Sequence, residues 1–178
     1  YPDIKNMKIL VISAGAGREV HRLIKLGCKK IYFTDITFSS VNYIFQTIQV
    51  LYPEVETFGF VTDCSLLPYP DDFFDLILIY ASIHHYPDLA KFFKEAHRVA
   101  KNICILSEPA KMSMLQPILA FYNWDKKNEY SSELDTHRVD VAKTTQALQS
   151  YYEIVKIERM WTFYPRMLGV FGNNKLFV

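Results

Sequence analysis

Two adjacent histidines, His84 and His85, stand just past an apolar run. Histidine is the side chain whose ordinary pKa best suits proton removal near neutrality. Three carboxylates close other apolar runs: Asp35 in FTDIT, Asp63 in FVTDCS and Glu108 in LSEP. Ahead of them lies VISAGAGRE, residues 11–19. Its small residues, Ser13, Ala14, Gly15, Ala16 and Gly17, allow a tight turn and close approach of a ligand to the backbone. A carboxylate placed like Asp35, about 20 residues beyond such a turn, can accept hydrogen bonds from both hydroxyls of a ribose. Blander roles compete at each position. A strand-end aspartate also caps helices and forms turns, and a histidine also packs beneath a helix.

These groups need a scaffold that brings strand ends together. Residues 8–12 (KILVI), 31–34 (IYFT), 55–61, 74–80 (FDLILIY) and 103–106 (ICIL) read as buried strands. Residues 18–26, 39–51 and 89–100 carry helical spacing between them. Such alternation predicts a doubly wound α/β sheet, parallel, with helices on both faces. Ligands in that class lie beyond the carboxyl ends of the strands. The last third reads as an apolar helix over 112–124, a polar loop over 125–135 and a helix over 139–151. Apolar segments at 152–159 and 170–178 then suit an antiparallel edge.

At 178 residues and 50% hydrophobic content the chain fits one domain, 1–178, with a packed core, and excludes disorder. Twenty basic and 19 acidic residues leave no basic footprint, so no nucleic-acid partner is expected. Cys28, Cys64 and Cys104 form no C-x-x-C pair, which indicates a reduced, cytoplasmic setting and no metal site. No apolar run is long enough to span a membrane. The third glycine of a dinucleotide fingerprint would fall at Val20, which disfavours NAD.

The glycine turn is instead similar to the first motif of class I S-adenosylmethionine-dependent methyltransferases, D-x-G-x-G-x-G. Val11 takes the acidic place, and Ser13, Gly15 and Gly17 take the three glycines. The block PYPDDFFDLILIYASIHHYPDLAKFFKEAHRVAK, residues 68–101, resembles the LPF-x-D-x-x-FD-strand-LHH…E-x-x-RVLKPGG pattern of the small-molecule group. Glu95, Arg98 and Val99 fall at the family's offsets, while its Pro-Gly turn is missing. The resemblance covers residues 8–109.

It implies a Rossmann-like, mostly parallel sheet with an antiparallel C-terminal edge. It further implies S-adenosylmethionine as cofactor and S-adenosylhomocysteine as product. The implied cofactor contacts are Ser13, Gly15, Gly17, Arg18, Asp35, Ile36, Asp63, Cys64 and Tyr80. Asp35 would take the ribose and Asp63 the adenine amino group. Cys64 and Leu66 would wall the ring, and Arg18 would contact the carboxylate end of the cofactor, whose amino-acid part loses the family's contact at Val11. His85, at the more regular family position, is the first choice of general base, with His84 second. Tyr80, Tyr86, Glu108 and His137 are secondary candidates, and Phe121, Tyr122, Trp124 and Tyr130 are candidates for the acceptor wall. The expected reaction is methylation of a small molecule or glycan, on oxygen. The alternatives are a methyltransferase-like scaffold without catalysis, motivated by Val11 and Ser13, and an RNA methyltransferase. Only seven residues precede Lys8, so N-terminal helices that close over an acceptor in related enzymes are expected to be missing from this sequence.

Overall fold

The computed structural model describes residues 3–109, 139–160 and 166–172. The readings at 112–135 and 173–178, with His137, Phe121, Tyr122, Trp124 and Tyr130, lie outside them.

In chain order the elements are β1 (Ile9–Ile12), α1 (Arg18–Lys25), β2 (Lys30–Asp35), α2 (Phe38–Leu51), β3 (Glu56–Val61) and β4 (Leu76–Tyr80). A 3-10 turn (Ile83–His85) precedes α3 (Leu89–Val99). Then come β5 (Ile103–Pro109), α4 (Val141–Gln149), β6 (Ile154–Met160) and β7 (Arg166–Phe171). The strands form one sheet in the order β3-β2-β1-β4-β5-β7-β6. β1 to β5 are mutually parallel, and β7 runs antiparallel to both β5 and β6. The expected Rossmann-like sheet is present with its C-terminal antiparallel pairing. The reversed strand, β7, is inserted between β5 and β6, and β6 forms the border.

The apolar runs follow from burial on both faces. Side chains alternate along a strand, so Ile9 and Val11 enter one core with Ile31, Phe33, Val20, Leu23, Ile44 and Ile48. Leu10 and Ile12 enter the other, with Tyr32, Ile77, Ile79, Phe92, Phe93 and Leu148. Both faces of β1 are therefore apolar, which is why KILVI shows no polar alternation. Parallel register brings the carboxyl ends together. Ile12 pairs with Thr34 and with Ile79, and Tyr80 pairs with Leu106. Any group just past those ends belongs to one rim.

Two side chains brace the loop that follows β3. Glu95 accepts from the Leu67 amide at 2.7 Å and from Arg98, whose guanidinium also donates to the carbonyls of Leu67 and Tyr69 and to Asp71. The Glu95–Arg98 spacing, one turn of α3, thus anchors the segment that carries Asp63 and Cys64. Among the described residues no helix is long and apolar enough to cross a membrane.

Candidate active site

The glycine turn leaves β1 and enters α1 through three left-handed residues: Ser13 (φ 51°), Gly15 (φ 53°) and Gly17 (φ 76°). Glycine adopts this conformation without steric cost, whereas an L side chain is strained by it. Gly17 caps α1, and a Cβ there would meet Ile44 Cγ1 at 2.8 Å. A Cβ on Gly15 would meet nothing within 4 Å. Its bare backbone faces open space at the rim, the cradle that close approach of a ligand requires.

Asp35 ends β2 and is only 7% exposed. Its Oδ2 accepts from the Gly15 amide at 2.9 Å, and its Oδ1 accepts from the Thr37 amide and hydroxyl, both at 2.9 Å. The carboxylate therefore holds the glycine turn and the entrance to α2 at once. The N-cap of α2 is Thr37. A carboxylate has about four acceptor positions; three are used here, and one remains on Oδ2. Beside it Ile36 is 73% exposed, and Leu66, past β3, is 75% exposed. Apolar groups so open at a polar rim suit a flat, partly apolar ligand.

Asp63 is exposed, and its Oδ1 accepts from the Ser65 amide at 2.8 Å. That backbone hydrogen bond lowers its pKa below the ordinary carboxylate value. Cys64 turns inward, buried, with its thiol 3.9 Å from Thr34 Oγ1. Burial raises its pKa, so it is a neutral core group. Its side chain faces the core, which leaves its backbone as the part at the rim. Arg18 reaches across to β4, donating to Tyr80 Oη at 2.9 Å with its guanidinium carbon 4.3 Å from the ring centre. It also lies 3.3 Å from Glu19.

Past β4, Glu108 organises the histidine turn. Glu108 is 0% exposed. Its Oε2 accepts from the amides of Ser82 (2.9 Å) and Ile83 (3.1 Å), and its Oε1 accepts from the His84 amide (3.0 Å). Oε1 also lies 2.5 Å from His84 Nδ1. A buried carboxylate so placed favours the tautomer with the proton on Nδ1, which leaves the basic lone pair on Nε2. The His84 side chain is 12% exposed; His85 is exposed, its ring centre 4.0 Å from that of His84.

A cavity of about 180 Å³ opens beside His84, lined by Ile83, Tyr86, Leu89, Val139, Lys143 and Thr144 among others. A larger hollow of about 730 Å³ lies along α3, and none of its lining residues comes from the glycine turn, the end of β2 or the histidine turn. Its arginine, Arg98, is already paired with Glu95 and Asp71, so the smaller cavity has the better claim to chemistry.

The structure thus gathers Ser13, Gly15, Gly17, Arg18, Asp35, Ile36, Tyr80, His84 and Glu108 at one rim, and turns the Cys64 side chain into the core. Glu108, only a secondary candidate by its sequence position, is the acid that organises the histidine turn. Its signal was a lone acid at the end of an apolar strand, ICILSEP, where a charge is costly unless it has several partners.

A methyltransferase domain family model matches residues 10–106. A ubiquinone/menaquinone biosynthesis C-methyltransferase from Rickettsia bellii is 28% identical, over 67% of this chain and 52% of that protein. The chain spans about half the length of the curated relatives it matches. Among solved structures, an S-adenosylmethionine-dependent methyltransferase from Aquifex aeolicus superposes with TM-score 0.71 at 18% identity, covering 94% of this chain and 82% of that one. Magnesium protoporphyrin IX methyltransferase from Synechocystis, solved with bound S-adenosylhomocysteine, superposes with TM-score 0.70 at 16% identity, covering 96% and 75%. With more than half of its residues inside the family model and the sheet order described above, this chain belongs to the class I S-adenosylmethionine-dependent methyltransferase domain family.

Proposed function

We propose that the domain transfers a methyl group from S-adenosylmethionine to a small phenolic or quinol-type acceptor, with His84 as general base. The observation that carries this reading is the buried Glu108 carboxylate fixed on His84 Nδ1 at 2.5 Å, at the strand end adjoining the glycine turn. Bound S-adenosylmethionine supplies an electrophilic sulfonium methyl group. The residues at the rim fit it: the Gly15 backbone for close approach, the remaining Asp35 position for the ribose, and Ile36 with Leu66 for the adenine faces. The second Asp63 oxygen is suited to the adenine amino group, the Cys64 backbone to the ring edge, and Arg18 to the terminal carboxylate.

His84 Nε2 would take the acceptor's hydroxyl proton, and Glu108 would stabilise the imidazolium so formed. Loss of a phenol proton spreads negative charge onto oxygen and the ring carbons ortho and para to it. The same base therefore serves O-methylation, or C-methylation followed by loss of the ring proton from the methylated carbon as the phenol re-forms. The C-methyltransferase relatives favour carbon and an aromatic acceptor over a glycan. A cavity of 180 Å³ accommodates one ring, since about 150 Å³ suffices for benzene. His85, exposed beside the base, lies where an acceptor would approach.

A second reading, binding without transfer, is favoured by Val11, which is buried in β1 where the family pattern has a carboxylate. Calorimetry with S-adenosylmethionine and S-adenosylhomocysteine, followed by transfer of labelled methyl to simple phenols and quinols, separates the two. Product NMR distinguishes a C-methyl from an O-methyl group. His84→Gln should bind the cofactor normally and lose at least 100-fold in transfer. Undiminished turnover in that variant would remove His84 from the mechanism.

A further inference from the structure

Among the described residues, two side-chain hydrogen bonds join the glycine turn to the chain around the histidines. One is Arg18 on Tyr80, at the surface. The other lies inside: the Tyr86 hydroxyl is 2.6 Å from Ser13 Oγ, between residues 73 positions apart. Tyr86 directly follows the 3-10 turn that carries His84 and His85. Its ring is stacked on Phe92 of α3, with centres 4.4 Å apart and planes 10° from parallel. The phenol therefore has one orientation, and it meets the residue that departs from the family's glycine pattern.

We propose that Tyr86 is a positioning residue: through Ser13 it clamps the glycine turn to the histidine turn, so that cofactor cradle and base are assembled before any ligand arrives. This rests on the methyltransferase reading above. A glycine at position 13 would accept φ 51° freely but would offer no hydroxyl. Serine tolerates the strain and gains a partner across the rim. The next residue is tied as well, since the Ala14 amide donates to the Thr34 carbonyl at 3.0 Å. The turn is thereby held from β2 on one side and from the segment after β4 on the other. Burial raises the Tyr86 pKa well above that of a free phenol, so the hydroxyl stays neutral and keeps its proton across working pH.

The clamp is tested with Tyr86→Phe, Ser13→Ala and the double variant, each checked by circular dichroism. Two readouts are used: calorimetric affinity for S-adenosylhomocysteine, and hydrogen exchange of the turn amides from Ala14 to Gly17 in ligand-free protein. Ser13→Ala should bind roughly five- to tenfold more weakly, the loss of one hydrogen bond, and Tyr86→Phe at least as much, since its hydroxyl also meets Cys64. The double variant should bind no more weakly than Tyr86→Phe alone, and the turn amides should exchange faster in all three. Wild-type affinity and protection in Tyr86→Phe would overturn the proposal, as would additive losses in the double variant. Should Tyr86→Phe fail to fold, Ser13→Ala decides by the same two readouts. A wild-type protein that binds no S-adenosylhomocysteine would instead overturn the cofactor reading, and exchange of the turn amides would still judge the clamp.

Discussion

The two turns that meet at the rim are built on opposite plans. The glycine turn presents bare backbone, and its sequence requirement is the absence of side chains at Gly15 and Gly17. The histidine turn presents side chains, and its requirement is one buried acid from another strand. Asp35 and Glu108 occupy equivalent places, each a carboxylate at a strand end accepting backbone amides. Asp35 keeps one acceptor position that the protein does not fill; Glu108 is committed to the protein. The difference teaches that a strand-end acid can either keep a position open at the rim or serve wholly as an internal strut. Counting its partners tells which.

The largest effect expected from that contrast is on stability. Glu108→Ala would strand three buried amides and the His84 Nδ1 proton. Each unsatisfied group costs roughly 1–3 kcal/mol, so a loss of about 3 kcal/mol or more is expected in urea unfolding. Asp35→Ala should cost less, about 1–3 kcal/mol, because Thr37 and Gly15 lie nearer to water. It should weaken S-adenosylmethionine binding by at least tenfold. Equal destabilisation by the two variants would break the distinction between the strut and the acid with an open position.

The two glycines sharpen the backbone half of the comparison. Gly17→Ala combines a left-handed φ with a contact at 2.8 Å to Ile44, so a loss of about 2–3 kcal/mol is expected with little further change in intrinsic affinity. Gly15→Ala meets no protein atom and should cost about 1–2 kcal/mol for φ alone. Its added methyl stands in the open cradle, so cofactor affinity should fall by at least tenfold. Thermal melts and calorimetry on the pair would show which glycine serves the fold and which the ligand. Normal affinity in Gly15→Ala would move the cofactor away from this turn.

Most of the architecture was legible because it is written in local patterns. The four apolar residues of β1 read as an interior strand, which their burial on both faces bears out, and the small residues after it read as a turn. Asp35 was legible for the same reason, since its position at a strand end fixes its place at the rim. The partner of His84 was not. Adjacent histidines look alike in sequence, and which one turns inward depends on a glutamate 24 residues away and on the register between β4 and β5. The inward turn of Cys64 was equally hidden. Its neighbour Asp63 faces solvent in the same short loop, and the choice between them is made by packing against Thr34 and Tyr86. The insertion of β7 between β5 and β6 has no local signature either, because two successive apolar segments pair as a hairpin in both arrangements.

The smallest effect concerns Glu95, which lies away from both turns and provides a control for them. Its pKa lies below the ordinary value of 4.5, chiefly because Arg98 donates hydrogen bonds to it and also because the Leu67 amide does. A carboxyl group with a depressed folded pKa contributes stability above its unfolded pKa. That contribution is lost as pH falls through the lower, folded value. Glu95→Gln should therefore be modestly less stable than wild type at pH 7, and the two unfolding curves should converge as pH drops below 4.5. Because Glu95 braces the β3 loop by its stem rather than at the rim, affinity for S-adenosylhomocysteine at pH 7 should stay unchanged. Urea melts across pH 7 to 3 with matched calorimetry would check both halves. A gap that persists in acid would show that the brace acts through shape rather than charge. A large fall in affinity would make the loop that carries Asp63 a third working part of the site, on the histidine turn's plan of side chains held from behind.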